Sequence, residues 1–209
     1  MDIPFEFCAL RFLILWETEE KKLHSALKTS PPLDLDDVRK SLNHYGVARN
    51  FKGLSQDKTA AFIQESLCAI SDTPTLTAEE KVVKLAKKFK KNFRQYNLSA
   101  SSKLLWLRNR TPYILYDKRA VSALSAMDPK FNKSDNKSDY QKYCKSWRSA
   151  YSQKKELILK AAERLKEIHR DFMPPSTPSD EKLSPMVTKR WFLERIFDIY
   201  LWEKGKEAK

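Results

Sequence analysis

Residues 99–124 (SASSKLLWLRNRTPYILYDKRAVSAL) hold the side chains whose types and spacing are best suited to chemistry. Asp117 opens a predicted helix directly after an apolar run that contains Tyr113 and Tyr116. A carboxylate beside such apolar side chains can have a raised pKa and work as a base. An aspartate at a helix start also caps that helix. Asp117 therefore has a catalytic interpretation and a structural one.

A second helix is predicted just before Asp117, over residues 100–108, with Ser99 as its N-cap. A turn at Pro112 would return Asp117 to the N-terminus of this helix, where backbone amides attract phosphate. Lys103 is either a phosphate contact or the exposed side of the helix. Four aromatic residues could stack an extruded base or belong to the core: Trp106, Tyr113, Tyr116 and Trp147.

Residues 99–124 resemble the helix-hairpin-helix base-excision DNA glycosylases. In that family a hairpin leads into an apolar helix, and a proline followed by an aspartate opens the next helix. Pro112 stands five residues before Asp117, where the family often has its proline. SASSKLLW followed by PYILYD is also typical of bacterial helical proteins related to this fold.

The resemblance implies that Asp117 is the catalytic carboxylate, which stabilises a cationic sugar or activates a nucleophile. Ser99 stands where lyases of the family have their lysine, which implies a monofunctional N-glycosidic hydrolase without Schiff-base chemistry. The family's hairpin glycines are missing, since Gln95–Leu98 occupies their place. No four-cysteine iron–sulfur pattern is present near the end of the chain.

Positive charge is concentrated in the middle of the chain. The net charge is +13: residues 79–110 carry a surplus of eight and residues 118–170 carry another eight, which acidic residues elsewhere, mainly in the slightly acidic segment 1–78, partly offset. Such a distribution favours a polyanionic partner, with DNA first, over a solvated surface or an acidic protein. We expect phosphate contacts from Lys84, Lys87, Lys88, Lys91, Arg94, Ser99, Ser101, Lys103, Arg108, Lys118, Arg119, Lys145 and Arg148.

The scarcity of glycine indicates an all-α protein. Gly46, Gly53 and Gly205 are the only glycines, too few for the turns of a β-sandwich or barrel. We predict a helical bundle resembling the glycosylase fold, with at most a short extended segment near residues 112–116. Two lobes are expected within one domain: 33–127, and 1–32 with 140–209.

Helical periodicity and capping signals give the predicted elements. Thr77 and Glu80 form a capping box for a helix that runs to about Tyr96, with an apolar stripe opposite its lysines. A polar loop is predicted over 128–139 and a proline-rich linker over 174–185. The other predicted helices are 17–28, 34–45, 56–70, 118–127, 140–151, 153–172 and 187–204.

Several function classes are excluded. The three cysteines and three histidines lack metal-ligand spacing, and three glycines cannot form a phosphate-binding loop, so we expect no metal and no cofactor. Asp2 and Glu6 in the apolar start argue against a signal peptide, and we expect a cytoplasmic protein without a membrane role.

A non-catalytic alternative stays open. Residues 187–204 are unusually apolar for a chain end, and could dock on a protein partner. In that case the chain is an interaction subunit or effector of a bacterial phage-defence or toxin–antitoxin system.

Overall fold

The computed structural model describes residues 2–29, 33–128, 131 and 139–207. Within these residues the protein is helical and contains no strand, which confirms the all-α prediction. Residues 113–117 belong to no helix or strand. The connection between the helices predicted over 17–28 and 34–45 and the predicted loop at 128–139 lie largely outside the described residues.

The described residues form a series of helices along the chain. They are α1 (Phe5–Leu15), which continues through a π-helical turn (Trp16–Glu20) into α2 (Lys21–Lys28), then α3 (Leu35–His44), α4 (Asp57–Ser71), α5 (Ala78–Phe93), α6 (Leu98–Asn109), α7 (Lys118–Met127), α8 (Tyr140–Glu163), α9 (Asp180–Val187) and α10 (Arg190–Glu207). Short 3₁₀ turns lie at Ala48–Asn50, Arg164–Glu167 and Arg170–Phe172.

The chain forms two compact units. The central unit is Lys22–Tyr116, and the terminal unit joins Met1–Lys21 to Asp117–Lys209. These units differ from the predicted lobes because α7 packs extensively on α10, which places residues 118–127 with the end of the chain. The segment 99–124 is therefore divided between the units at Tyr116.

In the central unit, α5 packs on α4 and α6, and α3 packs on α4. The stripe predicted for α5 is confirmed at Val82, Leu85, Ala86 and Phe89, all of which are buried. Phe51 meets the rings of Phe89 and Phe93 edge-on, with centroids 5.0 and 5.1 Å apart. This packing fixes which side of α5 faces solvent.

In the terminal unit, α10 is the central helix and packs on α1, α7 and α8. Every side chain from Trp191 to Leu201 is buried. The apolar character of this helix, which from sequence suggested a docking surface, is explained by its place in the core. A protein partner through α10 would thus lack an exposed apolar face over this stretch.

Several predicted boundaries need correction. One helix, Tyr140–Glu163, replaces the two predicted over 140–151 and 153–172, because Ser152 does not break the periodicity. The proline-rich linker contains α9, in which Pro185 is tolerated in a short helix. The last helix is Arg190–Glu207 rather than 187–204.

Candidate nucleic-acid interface

Helix α5 begins at a complete capping box. The Thr77 hydroxyl accepts a hydrogen bond from the Glu80 amide, and the Glu80 carboxylate accepts one from the Thr77 amide. These reciprocal bonds satisfy two amides that the first turn leaves unpaired. The hydrogen bonds that the Glu80 carboxylate accepts from the Thr77 amide and from the Thr77 hydroxyl hold the pKa of Glu80 below its usual range. The cap and the buried stripe together determine the orientation of the whole helix.

The solvent side of α5 carries four predicted phosphate contacts, Lys84, Lys87, Lys88 and Lys91, and all four are exposed. At about 100° per residue they fall within a sector of roughly 100°, and they span roughly 10 Å along the axis. No described residue places a carboxylate within ion-pair distance of these four lysines. We call them the α5 lysine face.

Two further cations flank the α5 lysine face. Arg94, also predicted, is exposed and ends the helix in the left-handed conformation with φ 57°. Lys90 is exposed at the margin of the face and was not predicted as a contact. Its position three residues after Lys87 is the sequence signal that could have identified it.

The N-terminus of α6 differs from its prediction. Asn97, not Ser99, is the N-cap, and its side chain accepts from the Ala100 amide at 3.1 Å. Ser101 is fully buried and donates to the Asn97 carbonyl, so the predicted phosphate contact at Ser101 is wrong for this structure. Ser99 is half-buried, and its hydroxyl accepts from Lys103 Nζ at 3.0 Å.

Lys103 is also mostly enclosed. Its side chain is 8% exposed, and its ammonium group lies 5.4 Å from the centroid of the Tyr45 ring. Of the two interpretations left open for Lys103, exposed helix surface is excluded by this burial. Its bond to Ser99 and its contact with Tyr45 give it an internal role in the central unit.

Arg108 is buried, and its prediction as a phosphate contact is corrected. Its guanidinium donates to the carbonyls of Leu27 and Thr29, to Ser71 Oγ at 3.1 Å and to the carboxylate of Asp72. Leu27 lies in the last turn of α2 and Thr29 directly follows the helix, where backbone carbonyls lack intrahelical partners. Arg108 therefore ties α2, α4 and α6 together and is not available to a ligand.

Tyr113 and Tyr116 are also inside the protein, at 4% and 5% exposure. Burial raises the pKa of Tyr113. Their rings are core, so the prediction that they stack an extruded base does not agree with this structure. Trp106 and Trp147 are 1% exposed and are core residues as well.

Asp117 is the N-cap of α7. Its Oδ1 accepts from the Arg119 amide at 2.9 Å, which is the structural role foreseen for it, and its side chain stays half-exposed. Lys118 beside it is exposed. The guanidinium of Arg119 lies over the ring of Trp202, 4.3 Å from its centroid.

The remaining predicted contacts, Lys145 and Arg148, are exposed on α8. The predicted set is thus divided: the α5 lysine face with Arg94 lies on the central unit, and Lys118, Arg119, Lys145 and Arg148 lie on the terminal unit. Among the predicted contacts in the central unit, the structure leaves an exposed cluster only on α5 and its C-cap.

Over the described residues, no group of three or more histidine, cysteine, aspartate or glutamate side chains is placed to hold a metal ion. None of the described helices combines the length and the apolar character needed to cross a bilayer.

Comparison with protein-family models, with curated proteins and with solved structures gave no match to this chain.

Proposed function

We propose that this protein binds nucleic acid through the α5 lysine face, with duplex DNA as the expected target. The observation that carries the proposal is the exposure of four lysines in one helical sector, without a carboxylate partner among the described residues. A duplex carries one phosphate charge per 1.7 Å of its axis, so roughly 10 Å of duplex offers about six charges to this face.

The charge of the central unit supports the same proposal. Residues 22–116 hold 17 basic and 8 acidic side chains, so this unit carries most of the chain's net positive charge. Like charges three and four residues apart on a helix repel one another by about 0.2–0.5 kcal/mol per pair. A polyanion alongside α5 removes this repulsion, which favours the bound state.

The composition of the face suggests how it binds. Between residues 84 and 91 the exposed positions of the face are lysines, which act as flexible point charges. The face has no arginine whose guanidinium could form the bidentate hydrogen bonds that recognise guanine. Phosphate contacts fix position without reading sequence. We therefore infer binding that is strongly salt-dependent and weakly sequence-dependent.

The test is fluorescence anisotropy with labelled duplex DNA over a salt series. Replacing Lys84, Lys87, Lys88 and Lys91 with glutamine should reduce the slope of log K against log salt by about three to four. A matched control replaces four exposed lysines elsewhere in the central unit, Lys22, Lys28, Lys52 and Lys58, and should change the slope little. Equal losses in both variants would show that net charge, rather than this face, drives binding.

We further propose base excision at Asp117. This more specific proposal rests on the resemblance of residues 99–124 to the helix-hairpin-helix DNA glycosylases. Asp117→Asn separates its two roles, because asparagine caps a helix as well as aspartate does but carries no charge. Short duplexes with a single uracil, 8-oxoguanine or alkylated adenine are the probes, and alkali-labile abasic sites are the readout. We expect such sites with the wild-type protein and not with Asp117→Asn.

A borohydride-trapping experiment completes this test. Ser99 cannot form a Schiff base, so no covalent adduct with DNA should appear while base release continues. If wild-type and Asp117→Asn proteins give the same background of abasic sites, base excision at Asp117 is ruled out for these lesions, and DNA binding by α5 is unaffected.

A further inference from the structure

Three cations from three helices surround one tryptophan in the terminal unit. Arg11 of α1, Arg119 of α7 and Lys206 of α10 lie 5.1, 4.3 and 4.0 Å from the centroid of the Trp202 ring. These distances keep any two of the charges within roughly 10 Å, close to the Debye length at physiological salt. Each cation gains from the negative face of the ring, but they also repel one another.

One carboxylate among the described side chains lies within this cluster. Glu203 bonds to Arg11 through Oε1 and to Lys206 Nζ at 2.6 Å through Oε2. Of the described residues, none places a carboxylate within ion-pair distance of Arg119. Among the described side chains, these three positive charges and one negative charge leave an excess of two. Consistent with this, burial and the charges of Arg11 and Arg119 lower the pKa of Lys206.

The backbone holds the cluster together. A Cβ on Gly205 would overlap the backbone carbonyl of Arg119, so the last turn of α10 lies directly against the first turn of α7. Glycine inside a helix costs about 1 kcal/mol relative to alanine. The close approach that it permits brings Arg119 to Trp202 and Lys206, which makes the cluster a consequence of tight packing.

We propose that Arg119 and Lys206, supported by Arg11, bind a phosphate group beside Trp202. Phosphate matches this site because its charge of up to two offsets the local excess, and because its oxygens can accept from the guanidinium of Arg119 and the ammonium of Lys206. Lys206 is exposed and Arg119 half-exposed, so solvent reaches both. The site does not depend on the α5 lysine face.

The phosphate can come from two sources that share this chemistry: a nucleic-acid backbone, or a small phosphate compound. The probes are inorganic phosphate, pyrophosphate and a short single-stranded oligonucleotide with or without a 5′-phosphate. Titrations use the full chain with the four α5 lysines replaced by glutamine, so that binding at that face does not contribute. Heat release by calorimetry and line broadening in phosphorus NMR are the readouts, at constant ionic strength.

The decisive variant is Arg119→Gln with Lys206→Gln, which removes both exposed donors. We expect roughly tenfold or greater weakening of pyrophosphate binding, the usual effect of losing a charge-assisted hydrogen bond. The matched control, Lys182→Gln with Lys189→Gln, removes two exposed lysines of the same unit and should leave binding unchanged. A separate Arg119→Lys variant should retain partial binding.

Two results would overturn the site: no saturable binding of any probe, or equal weakening in both paired variants. Circular dichroism verifies that each variant is folded. If the double variant unfolds, Arg119→Lys still tests whether the side chain at position 119 contributes to phosphate binding. Preference for the oligonucleotide identifies the backbone as the source, and preference for pyrophosphate identifies a small compound. These results do not depend on how the DNA affinity of the α5 lysine face varies with salt concentration.

Discussion

Trp147 donates a hydrogen bond of 2.9 Å from its indole Nε1 to Oδ1 of Asp198, and both side chains are buried in the terminal unit. Burial raises the pKa of Asp198 to about 8, although the nearby Arg195 opposes the rise and the carboxylates of Glu194 and Glu20 add to it. Arg195 itself donates to Glu20 at 2.7 Å. The core of this unit therefore holds a carboxyl group that stays protonated near neutral pH.

Because Asp198 is buried, we expect the free energy of unfolding to decrease as the pH rises. Between about pH 4 and pH 8 the folded state keeps a proton on Asp198 that the unfolded state has released, so the free energy of unfolding falls by at most about 1.4 kcal/mol per pH unit. Asp198→Asn keeps an acceptor for Trp147 and removes the titration. Urea unfolding at several pH values should show a flatter profile for this variant.

The control for Asp198→Asn is Asp171→Asn, the same change at an exposed position of the same unit. Its pH profile should parallel the wild type. Parallel profiles for all three proteins would mean that Asp198 does not retain its proton in the folded state.

His24 should show the opposite dependence on pH in the central unit. Its Nδ1 lies 2.6 Å from the Leu107 carbonyl, which can only accept, so Nδ1 carries the proton of the neutral ring. Burial lowers the pKa of His24 below 6.5. The unfolded state thus binds a proton more readily, and stability is lost as the pH falls through about 6.5.

His24→Asn tests this dependence, because the asparagine amide can still donate to Leu107 while the titration is lost. We expect the slope of unfolding free energy between about pH 5 and pH 7 to decrease, whatever the constant offset of the substitution. His169→Asn, at an exposed histidine, should leave the slope as it is in the wild type. An unchanged slope in His24→Asn would contradict the prediction.

Arg108→Met should destabilise the central unit by about 3 kcal/mol. The change keeps a long side chain but leaves the buried carbonyl of Leu27 and its neighbours without a donor, and each such loss costs about 1–3 kcal/mol. Hydrogen exchange should locate the effect in α2, α4 and α6. Arg49→Met, at an exposed arginine, should cost less than about 0.5 kcal/mol. Uniform loss of protection in both variants would argue against a specific role of Arg108.

Local signals in the sequence predicted the start of α5 and its buried stripe correctly, although the helix ends at Phe93 and not near Tyr96. The Thr77 capping box and the apolar stripe lie within one helix, and both follow from spacing alone. The exposure of Lys84, Lys87, Lys88 and Lys91 follows directly, because a helix that buries one side exposes the other. This part of the candidate interface was therefore predictable without tertiary information.

Helix α6 shows why the rest of the candidate interface could not be predicted from the sequence. Nearly all its side chains are buried, including the polar groups of Ser101, Lys103 and Arg108. A sequence pattern assigns such polar residues to the surface, since it cannot show the carbonyls that distant helices supply. Arg11, Arg119 and Lys206 illustrate the same limit, because three helices far apart in sequence bring them to one ring.

Gly205→Ala should disrupt the contact between α7 and α10. Alanine is the better helix former, so an isolated helix would gain about 1 kcal/mol. Here the added Cβ meets backbone atoms of Arg119, which cannot rotate away as a side chain would. We expect a net loss of about 1–3 kcal/mol, typical of overpacking, together with a changed near-ultraviolet signal from Trp202.

The control is Gly46→Ala. Gly46 has a φ of +64°, and no atom lies within 4 Å of its Cβ position, so the cost there is backbone strain of about 1 kcal/mol without a packing clash. Hydrogen exchange distinguishes the two: Gly205→Ala should deprotect α7 and α10, whereas Gly46→Ala should act near the end of α3. If Gly205→Ala left α7 fully protected, close backbone contact would not be what holds Arg119 beside Trp202.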